Sequence, residues 1–570
     1  MKNRKIIFIS ISFFSFLIYF LFILFVKKFS FSSHKVLSLY FGQAKQAFLF
    51  LPFVLLSIKI ILHLHLDLAL DNLLNKISNT YKLFFLFTFY FIITLSICGF
   101  AYYFLPQADA VGVYFQTKIF QLGRLWVKAP IIPDAFGVRG ITVYQDKWFS
   151  FYQPIHSFFL LIGNILKVPW LIGPILGFLT LMLTYRLAKG IFGAKVGLWV
   201  LFLGCVSPFF LFISASYDFH NSSLLFATSI LYALWKLDDS KQFLGIFIGV
   251  LCGFLLLVRP FNLILIAGLV FAYLLLRKHL KLLPFIIIGF IPFIIFQLYY
   301  NKSLTGNLLL FPYQLLPKQH GIGFTPDVGF PTFGIRGHGL LKLVINTGYQ
   351  FIVLSQSLFG WLFFSLLFIP FGVRRNSNPV LVFWNRYLIS IPLGLFLLYC
   401  FYWFHGITPF GPKYLSEAIP ALIILTALGI EKFPFGQRLR NSIIIVFIIY
   451  TYLLYIPYHV KYIRKGNWGE TPRVKNIVSR YKLKEGLIFI KPDSNNMFNY
   501  SQAFNYNDPL LKNPIIYVQD INEAQNRFLS QYFKKESYLL DVNKGTLTPL
   551  IFKNTSESYR QYWELFPKQP

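Results

Sequence analysis

Leu83-Phe84-Phe85-Leu86-Phe87-Thr88-Phe89-Tyr90-Phe91-Ile92-Ile93-Thr94-Leu95-Ser96-Ile97-Cys98-Gly99-Phe100-Ala101-Tyr102-Tyr103-Phe104-Leu105 runs without a charge into Pro106-Gln107-Ala108-Asp109. A charge-free apolar run longer than roughly 20 residues crosses a bilayer as a helix. The carboxylate that follows stands where that helix meets water. The rest of the chain repeats the pattern. Of its 570 residues, 56% are hydrophobic and only 13% charged, against about a quarter charged in soluble chains. Thirteen candidate spans lie near 6–26, 46–66, 83–105, 168–187, 196–213, 217–235, 243–258, 260–276, 281–300, 343–371, 384–404, 414–431 and 441–457. The expected fold is therefore an all-α polytopic membrane protein.

Met1-Lys2-Asn3-Arg4-Lys5 before the first run resembles a signal peptide. The run is too long and lacks a small-residue cleavage site, so a retained anchor is expected. After about residue 458 charges become frequent. Gly486–Ile490, Pro514–Val518 and Ser537–Leu540 read as short strands, and Asn522–Phe533 reads as a helix. The sequence thus divides into extra N-terminal spans (1–80), a membrane domain (81–458) with outer loops 106–167 and 301–342, and a small α/β domain (459–570). The cysteines Cys98, Cys205, Cys252 and Cys400 sit in apolar runs with no metal or disulfide spacing.

The chain carries 53 bases against 21 acids, a formal charge of +32. In a soluble chain that balance suggests nucleic acid; in a membrane chain it reports sidedness, and no nucleic-acid partner is expected. Connections of one parity hold Arg186, Lys189, Lys195, Lys236, Lys241, Arg277, Lys278, Lys281, Arg374, Arg375, Arg386, Lys432, Arg438 and Arg440. The short connections of the other parity hold almost none, Arg259 and Lys413 excepted. Basic loops stay in the cytoplasm, so the N-terminus is expected inside, and the long loops and C-terminal domain outside a bacterial inner membrane. Lys27, Lys28 and Lys35 after the first span go against this bias.

Six acids then face outward in the membrane domain: Asp109, Asp134, Asp146, Asp218, Asp327 and Glu417. A general base there comes from this set or from an outward histidine. Asp109 sits at the membrane boundary, where partial desolvation favours a raised pKa; the same position suits the N-cap of a helix predicted over Tyr114–Leu125 along the interface. His156 closes the aromatic stretch from Trp148 through Tyr152. Asp218 and His220 make a polar knot at a hairpin tip that a solvated turn explains equally well. Arg259 and Lys413, outward cations at membrane level, either reach lipid phosphate or hold a phosphate of the substrate. Lys59, His63 and Asp67 share a helix face, which suits the cytoplasmic end of a span better than a metal site. There is no phosphate-binding glycine loop and no nucleophile elbow.

Several motifs in order carry a resemblance: Phe115-Gln116, Gly123-Arg124-Leu125, Lys147-Trp148-Phe149, Pro154-Ile155-His156, Pro169-Trp170-Leu171, Ser207-Pro208-Phe209, Ser214-Ala215-Ser216-Tyr217 with His220, Leu257-Val258-Arg259-Pro260, Leu304-Thr305-Gly306-Asn307, Phe311-Pro312-Tyr313, Gly411-Pro412-Lys413-Tyr414 and Asn505-Tyr506-Asn507-Asp508-Pro509. Together they resemble the multi-span C-type glycosyltransferases related to dolichyl-phosphate-mannose protein mannosyltransferases and lipid A aminoarabinose transferases. The resemblance implies sugar transfer from a polyprenyl-phosphate carrier to a lipid, glycan or protein acceptor, with Asp109 as catalytic carboxylate. Arg259 and Lys413 would hold the donor phosphate, and Tyr152, His156, Asp218, His220, Tyr313 and Tyr414 the substrates. The family's usual Asp-Glu pair reads Asp109-Ala110 here; that departure leaves a divalent metal open and keeps a non-catalytic member as an alternative. A transporter or flippase of lipid-linked substrates is the other alternative. It predicts ionisable residues near span midpoints and an internal repeat; most spans after residue 83 are clean, and no internal repeat is seen.

Overall fold

The computed structural model describes residues 53–68, 79–331, 335–373, 377–466, 471–492 and 499–552. The first predicted span and its three lysines lie outside the described residues; of the second, the helix Phe53–His63 is described. The described chain is mainly helical. Six helices are long and apolar enough to cross a membrane, or seven if a bent pair counts as one span: Thr80–Phe100, Pro169–Phe192, Leu280–Thr305, Pro379–Tyr399, Lys413–Glu431 and Gln437–Arg464, with Ala194–Cys205 and Pro208–Ser214 bent by 64°. The remaining predicted spans are shorter or broken. Gln242–Leu256 and Pro260–Leu276 fall below full length, and the span expected at 343–371 ends as a helix at Ser357 and resumes only over Ile369–Val373.

Prolines set several of these breaks. Pro208 and Pro260 stand at the first helical turn, where no backbone donor is lost. Ser207 caps the first of these helices through its hydroxyl, which accepts from the Phe210 amide. Arg259, before Pro260, is pushed out of the helical region to φ −144°, ψ 80°. Its side chain therefore leaves the turn between two helices rather than a helix face.

The segment 101–168 is not a simple loop. It holds the helix Asp109–Gln121, a three-stranded antiparallel sheet of β1 (Val127–Lys128), β2 (Ile141–Tyr144) and β3 (Lys147–Ser150) in the order β1-β3-β2, and the helix Ile155–Ile165. A hairpin of β4 (Ile407–Thr408) and β5 (Gly411–Pro412) precedes Lys413. Toward the C-terminus, β6 (Gly486–Ile490), β7 (Ile515–Gln519), β8 (Ser537–Asp541) and β9 (Thr546–Pro549) form one sheet in the order β7-β6-β8-β9. Its first three strands are parallel and β9 is antiparallel. Helices Arg473–Arg480, Asn499–Phe504 and Glu523–Phe533 accompany it. The predicted strands and the helix at 522–533 fall within a residue or two of these elements; β9 and the two shorter helices went unread.

The C-terminal sheet shares its apolar core with the 101–168 segment. Val111, Phe115, Ile119, Phe136 and Trp148 pack in one cluster with Leu487, Ile488, Phe489, Ile516 and Val518. This corrects the expected interfacial helix. Asp109–Gln121 is buried along most of its length, because the sheet covers the face that the sequence offered to lipid. Trp148, 2% exposed, belongs to this core as well.

Candidate functional site

Asp109 is the first residue of its helix, and the helix's N-cap is Ala108, held at φ 48°. That left-handed conformation is costly for a residue with a Cβ. It turns Asp109 inward instead of back over the helix end, and no side chain caps the helix. The capping expectation therefore fails. One carboxylate oxygen pairs with Arg139 Nε at 2.8 Å and the other with Lys413 Nζ. Burial pushes the Asp109 carboxyl up, but the two cations outweigh burial and hold it well below the usual carboxylate range. This reverses the expected raised pKa.

Lys413 reaches Asp109 from the end of the β4–β5 hairpin, where its amide donates to Gly406 O at 3.0 Å. Arg139 reaches it from the turn before β2, and two glycines make that approach close. A Cβ on Gly112 would lie 2.5 Å from Gly140 O, so helix and turn touch backbone to backbone one helical turn from Asp109. Gly140 also needs φ 91°, open mainly to glycine. Tyr102, Gln107, Ala108, Asp109, Ala110, Ser216, Asp218, Thr408, Phe410 and Lys413 line one pocket. Asp218, in the 217–219 turn, is pushed up to about 6 by burial, partly opposed by Lys413 and reinforced by Asp109.

A second polar cluster lies behind Lys413. Arg259 Nη1 donates to Glu417 Oε1 and Oε2 at 2.8 and 3.1 Å and to His220 Nδ1 at 2.9 Å; its Nη2 donates to the Tyr399 hydroxyl. Ser223 and Ser416 complete the Glu417 carboxylate. Arg259 and Glu417 are both buried. His220 Nε2 lies 3.8 Å from Asp218 Oδ1, which links the cluster to the pocket. Tyr414 stacks on Tyr399 at 4.6 Å, and Tyr313 shares a 2.6 Å hydrogen bond with Tyr402. His156 is not brought to the pocket. Its Nδ1 pairs with Ser222 Oγ at 2.7 Å and its Nε2 with Tyr217 O at 3.0 Å, so it ties the helix Ile155–Ile165 to its neighbour. Sequence reasoning missed Arg139; the nearest signal was Gly137-Val138-Arg139-Gly140, small residues flanking a base in an outer loop.

Among the described residues no group of three or more His, Cys, Asp or Glu is placed to hold a metal ion. Asp109 already gives each oxygen to a cation, a donor set unsuited to a divalent metal. The expected ladder Lys59–His63–Asp67 does not form: the helix ends at His63, the chain turns at Leu64–His65 with His65 at φ 54°, and Asp67 beyond the turn pairs with Arg438 Nε at 2.9 Å.

No family pattern matches the chain, and no curated protein matches it by sequence. Among solved structures it is similar to ArnT from Cupriavidus metallidurans bound to undecaprenyl phosphate, with a TM-score of 0.54 at 11% identity over 81% of this chain and 93% of that one. The apo form of that protein gives 0.50 at 12% identity over the same shares. The chain has the fold of the C-type glycosyltransferases.

Proposed function

We propose that this protein is a membrane glycosyltransferase that moves a sugar from a polyprenyl-phosphate carrier to an acceptor hydroxyl on the outer face of the inner membrane. The observation that carries this reading is the pairing of Asp109 with Lys413, residues 304 apart in the chain, on the wall of one pocket, with a second cation, Arg139, on the carboxylate's other oxygen. A carboxylate and a surplus of positive charge are what proton removal and phosphate departure require. The shared fold supports the same reaction class.

The acceptor oxygen attacks the anomeric carbon from the side opposite the phosphate. The new carbon–oxygen bond forms as the carbon–phosphate-oxygen bond breaks. The hydroxyl proton passes to the Asp109 carboxylate, and the bonding electron pair leaves with the lipid phosphate. One displacement without a covalent enzyme intermediate inverts the anomeric centre. Lys413 has two tasks. In the free protein it neutralises Asp109; the donor phosphate competes for it, and an Asp109 released from one of its two cations becomes a stronger base. Lys413 then stabilises the charge that grows on the leaving phosphate. Arg259, whose charge Glu417 already balances, supports this wall through His220 and Ser416 and meets phosphate second. Asp218, Tyr152, Tyr313 and Tyr414 are assigned to substrate hydroxyls and ring faces.

The test is transfer from radiolabelled polyprenyl-phosphate sugars in membranes carrying the wild type or Asp109→Asn. Wild-type transfer and a silent variant at equal expression support the reading. Equal turnover of the two removes Asp109 from its role. Wild-type membranes that move the lipid carrier across the bilayer without releasing sugar point instead to transport.

A further inference from the structure

The core shared by the C-terminal sheet and the 101–168 segment is tied by polar contacts at three places. Lys118, on the Asp109 helix, donates to Asn505 O at 2.7 Å and Asn507 O at 2.9 Å. Gln519, the last residue of β7, donates to Gly137 O at 2.6 Å and Asp134 O at 3.4 Å. Asn505 Nδ2 donates to Pro106 O at 3.5 Å. Two of the three end on main-chain carbonyls close to the site, since Pro106 precedes Asp109 by three positions and Gly137 precedes Arg139 by two; the third starts from the Asp109 helix itself, at Lys118. Rings close the space between, with Phe504 against Phe115 at 5.4 Å and Trp148 at 5.8 Å, and Phe533 against Phe136 at 6.5 Å.

Lys118 is the most telling of these residues. A lysine at a solvated surface keeps its water; this one spends its ammonium on two carbonyls. Desolvation pushes it down to about 8, with Asp508 partly opposing. Such a contact favours a fixed distance, because a half-buried ammonium that lost its two acceptors would give up two charge-assisted hydrogen bonds.

We propose that the C-terminal sheet is a positioning element of the pocket, in which Lys118 and Gln519 hold the Asp109 helix and the Arg139 turn in the register that pairs Asp109 with Arg139. This rests on the transferase reading above and adds to it a role for two residues outside the pocket. The sheet fixes the helix through Lys118 and the turn through Gln519, and the Gly112–Gly140 contact joins the two. Groups facing Asp109 are Arg139 from the turn, Lys413 and Tyr414 from the segment after β5, Tyr152 after β3, Asp218 from the 217–219 turn and Tyr313 from the loop after Thr305. Of these, the Arg139 turn is the one held by a hydrogen bond from the sheet, through Gln519, and the Asp109 helix is held by the segment before β7, through Lys118. Loosening Gln519 therefore withdraws one cation from Asp109 and leaves Lys413 in place.

The experiment compares full-length wild type, Gln519→Ala, Lys118→Met, Lys118→Arg and Asp109→Asn in sugar transfer across a pH series. The proposal expects kcat to fall roughly tenfold in Gln519→Ala and Lys118→Met, as a small misplacement of reacting groups does. KM for the donor should stay near the wild-type value, Lys118→Arg should recover most of the rate, and the acid limb of the profile should move to higher pH in Gln519→Ala. Hydrogen exchange supplies a readout without activity: faster exchange confined to 106–121 and 134–141 supports the brace. Wild-type kcat and acid limb in both variants, with Asp109→Asn silent, overturn the brace and leave the transferase reading standing. Uniformly faster exchange through the membrane helices also overturns it, since the two residues then serve folding alone. An active Asp109→Asn variant removes the transferase reading itself, and the brace with it.

Discussion

Two ionic clusters face each other across Lys413, and they are built to opposite plans. In the closed cluster, Arg259 and Glu417 are both buried and matched one to one, and Ser223, Ser416, Tyr399 and His220 use their remaining hydrogen-bonding capacity. In the open cluster one carboxylate, Asp109, faces two cations, and one of them, Arg139, has a side chain 52% exposed. A buried matched pair is expensive to break and poor at exchanging partners. A carboxylate outnumbered by cations can give one up to an arriving anion. The comparison separates scaffold from chemistry: the closed cluster should answer to stability, the open one to turnover.

The sharpest break is Asp109→Asn, expected to lower transfer by about 10²–10⁴-fold, the usual contribution of a general base, with expression unchanged; labelled-sugar transfer measures it. Glu417→Gln should act on the other side of the comparison. It strands Arg259 buried and uncompensated, at a cost of about 3–5 kcal/mol, seen as a fall in thermal stability in detergent before any kinetic effect is read. Arg139→Ala tests the open cluster by pH. With one cation gone, the folded-state pKa of Asp109 rises, so the ionised form needed for proton transfer is lost at higher pH than in the wild type. The acid limb of kcat/KM should move up, and a limb fixed at its wild-type position would detach Arg139 from the site. Tyr399→Phe is the mildest change. It removes the hydroxyl that accepts from Arg259 and donates to Asn262 Oδ1, about 1.5–3 kcal/mol of stability, and should leave the pH profile untouched.

The parts of this arrangement that the sequence disclosed are those written in local pattern. Charge-free runs marked most helices, and Gly486–Ile490 and its neighbours marked three of the four C-terminal strands. Acids and bases are scarce in the connections expected outside, and that scarcity marks Asp109 and Lys413. What stayed hidden is non-local. Glu417 looked like one outward acid among six because nothing in the chain joins it to Arg259, 158 residues away. Arg139 looked like an ordinary loop base because its partner is reached through two glycines that are unremarkable apart. The strands β1 to β3 hold two to four residues each, too few for alternation to be read. The pKa of Asp109 was read with the wrong sign because burial is visible at a membrane boundary while incoming cations are not.

The central claim is that Lys413 changes partner, from Asp109 in the free protein to phosphate in the complex. Equilibrium binding of polyprenyl phosphate to the purified wild type, Lys413→Met and Asp109→Asn tests it directly. Affinity should fall at least tenfold in Lys413→Met, about 1.4 kcal/mol, and hold or rise in Asp109→Asn, where no carboxylate competes for the ammonium. Equal binding by the wild type and Lys413→Met, or weaker binding by Asp109→Asn, would contradict the account.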